Sequence, residues 1–114
     1  MVAEVREWLH RLRREDRATL LAVSDALTVL RVVGPGLGRP LVDRVSQSSL
    51  HHLKELRPGS AGSAEVRILF AFDPFRRAVL LVAGDKAGRW NRWYDEAIPL
   101  AEQRYAEYMA EVTR

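Results

Sequence analysis

The sequence contains no cysteine among its 114 residues, and aromatic side chains make up only 8% of it. The absence of cysteine excludes a disulfide framework and a thiolate metal site, and a reducing compartment suits such a chain. No apolar run approaches membrane-spanning length, and the first 14 residues carry too many charges for a signal peptide. We therefore expect one soluble, cytoplasmic domain that spans residues 1–114.

Patterns typical of a metal centre or a nucleotide cradle are also missing. His51 and His52 are adjacent and would face opposite ways on a strand, and His10 lies far from them in the sequence. The glycine-rich segment 34–40 follows a helix and lacks the Lys-Ser/Thr ending of a phosphate loop. The sequence has no recognisable nucleophile elbow either. We expect neither a metal nor a cofactor.

What the chain does have is an uneven distribution of charge. Residues 39–94 hold ten Lys/Arg against five Asp/Glu, whereas residues 95–114 hold two against five. A basic middle beside an acidic tail favours an anionic partner at the middle. Sixteen of the eighteen basic residues are arginine, which suits bidentate phosphate contacts but also reflects codon usage in a GC-rich genome.

Hydrophobic periodicity predicts an α+β domain. Segments 2–14 and 19–33 repeat apolar residues at helical spacing and form a helical hairpin. Extended segments are expected at 41–45, 50–57, 66–72 and 78–83, with a Gly/Ser/Pro turn over 58–63. A last helix begins at Asp95 or Pro99 and ends at Val112. Local connections between three or four strands favour an antiparallel sheet with the hairpin packed on it and the last helix beside it.

The two strands joined by Asp73-Pro74 predict the central hairpin of this sheet. Alternation over 66–72 indicates a strand with one face packed on the core, and the apolar run 78–83 indicates a strand that is central or covered on both faces. Arg67 shares a face with the small Ala71, so we expect open space and an anion or water beside its charge.

The candidate functional residues come from three neighbouring pieces of chain. If these pieces adjoin, their cations converge on one concave side of the sheet, and tryptophans or a tyrosine at the rim are available to stack on a base. The alternative is an ordinary solvated basic face in which Trp93 and Tyr94 cap the core. The candidates are Lys54, Arg57, Arg67, Lys86, Arg89, Arg92, Trp90, Trp93 and Tyr94.

Three motifs together resemble a known family. They are LGRPLVDRV, HHLKELRPG and VRILFAFDPFRRAVLLVAGDKAGRWNRWYDEAIPLAEQRY. Across about residues 3–110 they resemble the phage-derived, HigB-like branch of the RelE/ParE toxin superfamily. The resemblance implies a RelE-like fold and a ribosome-dependent mRNA endoribonuclease of a type II toxin–antitoxin system. It also implies a cognate antitoxin with a helix-turn-helix DNA-binding domain, so that DNA is contacted only through the antitoxin.

The resemblance also implies roles for several residues. Arg67 resembles the strand arginine that contacts the scissile phosphate, and Lys86 and Arg89 resemble the basic loop after the next strand. Tyr94 resembles a C-terminal aromatic residue that acts as the general base or stacks on a nucleobase. Lys54 is a weaker catalytic candidate, and Arg57 is expected to be structural. An acidic helix of the antitoxin is expected to cover the basic site.

Two departures from the family pattern leave alternatives open. The chain starts inside what would be the first helix, so either the natural start lies upstream or the family's first strand is missing, which would leave a sheet edge available for an antitoxin segment. The histidine-based catalytic sets of some HigB enzymes are absent, which leaves the acid and base roles unassigned. A catalytically silent member that binds RNA, the ribosome or a protein, and a ParE-like gyrase inhibitor, are the alternative functions.

Overall fold

The structure is a computed structural model that describes residues 1–59 and 64–113. It confirms the α+β class, with two N-terminal helices, a four-stranded antiparallel sheet and a C-terminal helix. The elements are α1 (Ala3–Glu15), α2 (Arg17–Val33), β1 (Val42–Arg44), β2 (Lys54–Leu56), β3 (Val66–Phe72), β4 (Ala78–Asp85) and α3 (Asn91–Val112), with a 3-10 turn at Gly34–Gly36.

The predicted helical hairpin is confirmed, and a single residue links its helices. Asp16 ends α1, and its carboxylate accepts hydrogen bonds from the Thr19 backbone N–H at 3.1 Å and from the Thr19 hydroxyl at 2.6 Å. An aspartate at this position satisfies donors that the first turn of α2 leaves unpaired. The hairpin therefore turns sharply and lays the stripe of Val23, Ala26 and Leu30 on the sheet.

The expectation that no apolar run reaches membrane-spanning length is wrong for α2. Together with the 3-10 turn, the segment Arg17–Gly36 has a mean hydropathy of 1.4 in its most apolar window, which is enough to cross a membrane by length and composition. Much of this apolar character comes from side chains outside the packed stripe. Leu21, Val32 and Val33 are exposed.

The sheet has the order β1-β2-β3-β4, with every neighbouring pair antiparallel. The predicted strand at 50–57 is much shorter, because residues 46–52 form turns. The Glu102 carboxylate on α3 explains this, since it accepts hydrogen bonds from the Ser48 hydroxyl at 2.7 Å and the Ser49 backbone at 2.8 Å. Of the turn predicted at 58–63, residues 60–63 lie outside the described part of the chain.

The alternation over β3 predicts one buried face, but in the structure both faces of this strand are buried. Ile68 and Phe70 pack against α1 and α2, while Leu69 and Ala71 pack against α3. The second face looked polar in the sequence only because it carries Arg67, and that residue is 8% exposed. The expected open space beside Arg67 and Ala71 is therefore absent, and the arginine lies in a closed environment.

The prediction that the β3–β4 hairpin forms the middle of the sheet is wrong for β4, which is an edge strand in the described chain. Its apolar run reflects cover on both faces, from α1 on one side and α3 on the other. Its edge is also partly occupied. The Val2 N–H donates to the Leu80 carbonyl at 3.1 Å, and the Arg104 guanidinium donates to the Leu81 carbonyl at 2.8 Å.

Candidate functional site

One corner of the sheet, on the face covered by α3, gathers four polar side chains. Arg67 of β3 pairs in register with Gly84 of β4, so Lys86 follows at the end of the neighbouring strand. Glu55 of β2 is paired with Leu69 and therefore points to the same face as Arg67. Tyr94 comes from the first turn of α3. We call Glu55, Arg67, Lys86 and Tyr94 the polar quartet.

A short hydrogen bond joins two members of the quartet. The Tyr94 hydroxyl donates to the Glu55 carboxylate with an O–O distance of 2.6 Å. Burial and the neighbouring Glu55 carboxylate together raise the pKa of Tyr94 to about 12. The phenol therefore keeps its proton at neutral pH, and it holds one oxygen of Glu55 in a fixed position.

Lys86 is a nearly buried cation, with 8% of its surface exposed. Its ammonium lies 4.7 Å from the centre of the Trp90 ring and 5.4 Å from that of Tyr94. Burial and the nearby Arg67 charge lower the pKa of Lys86, while the Glu55 carboxylate opposes this shift. The result is an ammonium that gives up a proton more readily than an exposed lysine does.

Arg67 is fixed by its own strand and still has a free donor. Its Nη1 donates to the Val66 carbonyl at 2.8 Å, and its Nη2 lies 3.3 Å from the Glu65 carboxylate. Its Nε is the one buried side-chain polar atom, among those described, that has no hydrogen-bond partner. Buried donors are almost always satisfied, so this unpaired N–H is unusual and leaves the guanidinium only partly neutralised by hydrogen bonds.

A polar cleft of about 480 Å³ opens beside Glu55 and Tyr94. Arg39 and Arg44 stand on its wall, and Arg57 lies at 3.8 Å from both the Glu55 and the Asp43 carboxylates. Glu55 is therefore held between a tyrosine and an arginine while it faces the cleft. The cleft is lined by Arg39, Asp43, Arg44, Val45, Ser46, Gln47, Glu55, Asn91 and Tyr94.

Close packing between Gly84 and Trp93 sets the position of Tyr94. A Cβ atom on Gly84 would lie 2.7 Å from the indole Nε1 of Trp93, so the strand must present a glycine where α3 begins. The helix starts at Asn91, earlier than the predicted Asp95 or Pro99, and Pro99 lies inside it. The buried Trp93 anchors this early start and carries Tyr94 to Glu55.

The other candidate residues differ in their exposure to solvent and in their contacts. Trp90 is 62% exposed and has a positive φ of 42°, which is rare for a residue with a side chain. It covers Lys86 and leaves much of its ring in solvent, where a base can stack on it. Trp93 is only 5% exposed and packs in the core, which agrees with the alternative in which Trp93 and Tyr94 cap the core. Arg92 is exposed at the start of α3, and Arg89 is paired with Glu96 at 2.6 Å.

The structure does not bring Lys54 to the polar quartet. Lys54 precedes Glu55 on β2 and points to the opposite face, where its ammonium lies 3.3 Å from the Pro35 carbonyl and 5.6 Å from the Phe72 ring centre. Arg57, which we had expected to be structural, contacts Glu55 instead. Of these two basic residues, Arg57 is therefore the one that lies beside the quartet.

Glu55 is the residue that sequence reasoning missed. It stands in the motif LKELR between the two cations that drew attention, and strand alternation already placed it on the face opposite to Lys54. Its link to Tyr94 joins residues 39 positions apart, so no local pattern indicates it. Over residues 1–59 and 64–113 there is no group of three or more metal-binding side chains.

Comparison with known proteins gives two curated relatives from Mycobacterium tuberculosis. The chain is 53% identical over 110 residues to "Putative toxin HigB2", and these cover 96% of this chain and 53% of that protein. It is 49% identical over 110 residues to "Putative toxin HigB3", with 96% of this chain and 91% of that protein covered. The chain thus spans about half the length of the first relative and most of the second. No solved structure matches it.

The part of the chain that matches a known family includes the quartet, the cleft and most of each helix. Residues 7–106 match the family described as "Phage derived protein Gp49-like". This range includes every candidate residue named from the sequence. The chain therefore belongs to the phage-derived Gp49-like family, in the HigB-like branch that its motifs resemble.

Proposed function

We propose that this chain is the toxin of a type II toxin–antitoxin system and that it cleaves mRNA on the ribosome without a metal ion. The toxin class and a cognate antitoxin are supported by the two HigB relatives and the family match. The cleavage activity rests on the chemistry of the polar quartet. Its site of action is the cytoplasm, and the antitoxin carries a helix-turn-helix domain that binds DNA.

The observation that carries the proposal is the buried Arg67 with its unsatisfied Nε, next to Lys86 and the Glu55–Tyr94 pair. Cleaving RNA through its own 2′-hydroxyl requires a base, a cation for the phosphorane and an acid for the leaving group. A carboxylate, a guanidinium and an ammonium of lowered pKa supply these three functions at one corner of the sheet.

The quartet suggests the following division of roles. Glu55 takes the proton from the 2′-hydroxyl, whose oxygen then bonds to the adjacent phosphorus. The buried positive charge of Arg67 stabilises the negative charge that develops on the phosphorane. The bond to the 5′-oxygen breaks, and Lys86 protonates that oxygen. The products are a 2′,3′-cyclic phosphate and a 5′-hydroxyl, so protons and bonds balance without a further reactant.

Tyr94 and the cleft wall position the reaction in this proposal. The Tyr94 hydroxyl fixes Glu55, while the exposed Arg44, which pairs with none of the described carboxylates, attracts a phosphate that flanks the scissile bond. The largely exposed indole ring of Trp90 offers a stacking surface for one nucleobase. The ribosome supplies the remaining orientation of the mRNA.

The test is induction of the chain in a bacterial host, followed by mapping of transcript 5′ ends. We expect arrested growth and new ends within translated frames, and neither effect with Arg67→Ala. The matched control is Arg13→Ala, which removes an exposed arginine of α1 outside the quartet and should retain most of the toxicity. New DNA breaks without new transcript ends would favour a gyrase inhibitor, and arrest without either would favour a silent binding protein.

A further inference from the structure

A second groove, far from the polar quartet, lies between the helical hairpin and the β3–β4 turn. It has a volume of about 620 Å³ and an apolar floor made by Leu27, Leu30, Phe72, Ala78 and Leu80. Met1, half exposed, stands at one end of it. We call it the distal groove. None of the residues of the polar quartet lines it.

The rim of the distal groove is basic. Arg31, Arg76 and Arg77 line it, and no carboxylate does. Neither Arg31 nor Arg76 forms an ion pair with another described residue, whereas Arg77 is paired with Asp73 at 2.9 Å and is still 59% exposed. By contrast, the cleft beside the quartet contains Asp43 and Glu55, which offset the charges of its arginines.

Arg76 keeps its side chain at a backbone position that favours glycine or asparagine. Its φ is 66°, at the end of the turn that closes with the Asp73 N–H donating to the Arg77 carbonyl. A residue other than glycine in this conformation costs on the order of 1 kcal/mol. The turn therefore places the Arg76 side chain on the groove rim despite this cost.

Phe75 extends the same surface. It is 64% exposed at the tip of the turn, and the Arg77 guanidinium lies 5.0 Å from its ring centre. Exposed aromatic and arginine side chains beside an apolar groove are the residues that dominate binding energy at protein interfaces. On α2, the exposed Val32 and Val33 lie next to the groove residue Arg31.

We propose that the distal groove docks an amphipathic, acidic segment of the cognate antitoxin. The apolar floor takes the segment's apolar face, and its carboxylates pair with Arg31 and Arg76. A second copy of this chain fits poorly, because a symmetric contact would bring the same three arginines together. The proposal rests on the toxin class of the proposed function and is independent of RNA cleavage.

This placement differs from the antitoxin helix over the basic cleft that the sequence led us to expect. The distal groove involves Phe72, Ala78 and Leu80 on the helical-hairpin face, whereas Arg67 and Glu55 lie on the α3 face. Along β3, Arg67 and Phe72 are five residues or roughly 17 Å apart. A segment bound in the groove therefore leaves the polar quartet uncovered.

The experiment is calorimetric titration of the purified chain with the purified cognate antitoxin. Arg76→Gly should weaken binding about tenfold or more while the thermal midpoint of the free chain stays equal or rises, because the glycine relieves the strained φ. Arg31→Ala combined with Arg76→Gly should weaken it further. Arg13→Ala, which removes an exposed arginine of α1 outside the groove, is the matched control and should bind normally.

Three results would overturn the proposal. The first is unchanged affinity of the Arg31→Ala, Arg76→Gly double variant. The second is loss of affinity on Arg39→Ala or Arg44→Ala alone, which would return the antitoxin to the cleft. The third is loss of binding to phosphatidylglycerol vesicles in Arg76→Gly with antitoxin affinity intact, which would assign the groove to a membrane surface. Because binding is measured directly, a failure of RNA cleavage does not affect any of these readings.

Discussion

At the scale of single residues, Glu55 holds the position on which the proposed chemistry depends. One of its oxygens accepts the Tyr94 hydroxyl at 2.6 Å, and the other lies 3.8 Å from Arg57. Glu55→Gln keeps the shape and loses the base, so we expect mRNA cleavage to fall by about 100-fold or more with the fold retained. Single-turnover cleavage on programmed ribosomes measures this.

The control for that substitution is Glu96→Gln. Glu96 pairs with Arg89 on the surface and is 70% exposed, so its loss should change cleavage little. Equal rates for Glu55→Gln and the wild-type chain would remove Glu55 from the mechanism and leave the base to be found elsewhere in the cleft.

Tyr94 provides a test at high pH. Its folded-state pKa of about 12 lies above the ordinary 10.0, so the protonated phenol is favoured by folding. The stability that it contributes is fully present below pH 10 and is lost as the pH rises from about 10 to about 12. Denaturant titrations across this range should show a steeper decline for the wild-type chain than for Tyr94→Phe. Parallel declines would mean that the Tyr94 hydrogen bond does not couple to stability.

Local motifs named some of the residues that the structure brings together. Arg67, Lys86 and Tyr94 were recognised from motifs that resemble a family, and the structure gathers them at one corner. Glu55 was missed because its partner comes from α3. The choice of Lys54 over Arg57 failed to match their positions, because the face that β2 presents to α3 depends on pairing register and not on β2 alone.

At the scale of elements, the contact between β4 and α3 positions the site. Gly84→Ala places a methyl group about where the Trp93 indole lies, so the start of α3 and with it Tyr94 must move. We expect a loss of stability of about 1–3 kcal/mol and a larger loss of cleavage. Gly36→Ala is the matched control, since a Cβ there meets no atom within 4 Å and stability should hardly change. Equal melting temperatures for the two variants would show that the contact is not restrictive.

The β3–β4 turn depends on the buried carboxylate of Asp73. Burial raises the pKa of Asp73, but hydrogen bonds from Tyr108, Arg77 and Phe75 outweigh this and hold it at about 2, below the ordinary 3.8. The stability that Asp73 contributes is thus present above pH 3.8 and is lost as the pH falls toward 2. Circular dichroism during acid titration should show this loss shifted to higher pH in Tyr108→Phe. An identical acid transition in that variant would contradict the assignment.

Element type followed from periodicity, and the errors have tertiary causes. Both helices of the hairpin and strands β1, β3 and β4 were predicted close to their bounds. The strand at 50–57 shrank to Lys54–Leu56 because Glu102 folds the preceding loop. Helix α3 began early because Trp93 packs on Gly84, a contact between residues of different elements.

At the scale of the whole molecule, the sheet separates the two candidate sites. The helical hairpin covers one face and forms the distal groove, while α3 covers the other and completes the polar quartet. Layer order follows from the chain order of the elements, which the sequence predicts. The distribution of unpaired positive charge over the two faces does not follow from chain order, because it depends on which arginines pair with carboxylates after folding. In this account RNA and antitoxin use opposite faces of one small sheet.

The most direct test of the central claim uses an mRNA with a single 2′-deoxynucleotide at the mapped cleavage position, presented on programmed ribosomes to the purified chain. We expect that cleavage at that bond stops, while the all-ribose mRNA is cut and leaves a 2′,3′-cyclic phosphate. Cleavage of the deoxy-substituted bond at the rate of the ribose bond would contradict it. That result would mean that the quartet does not activate the 2′-hydroxyl.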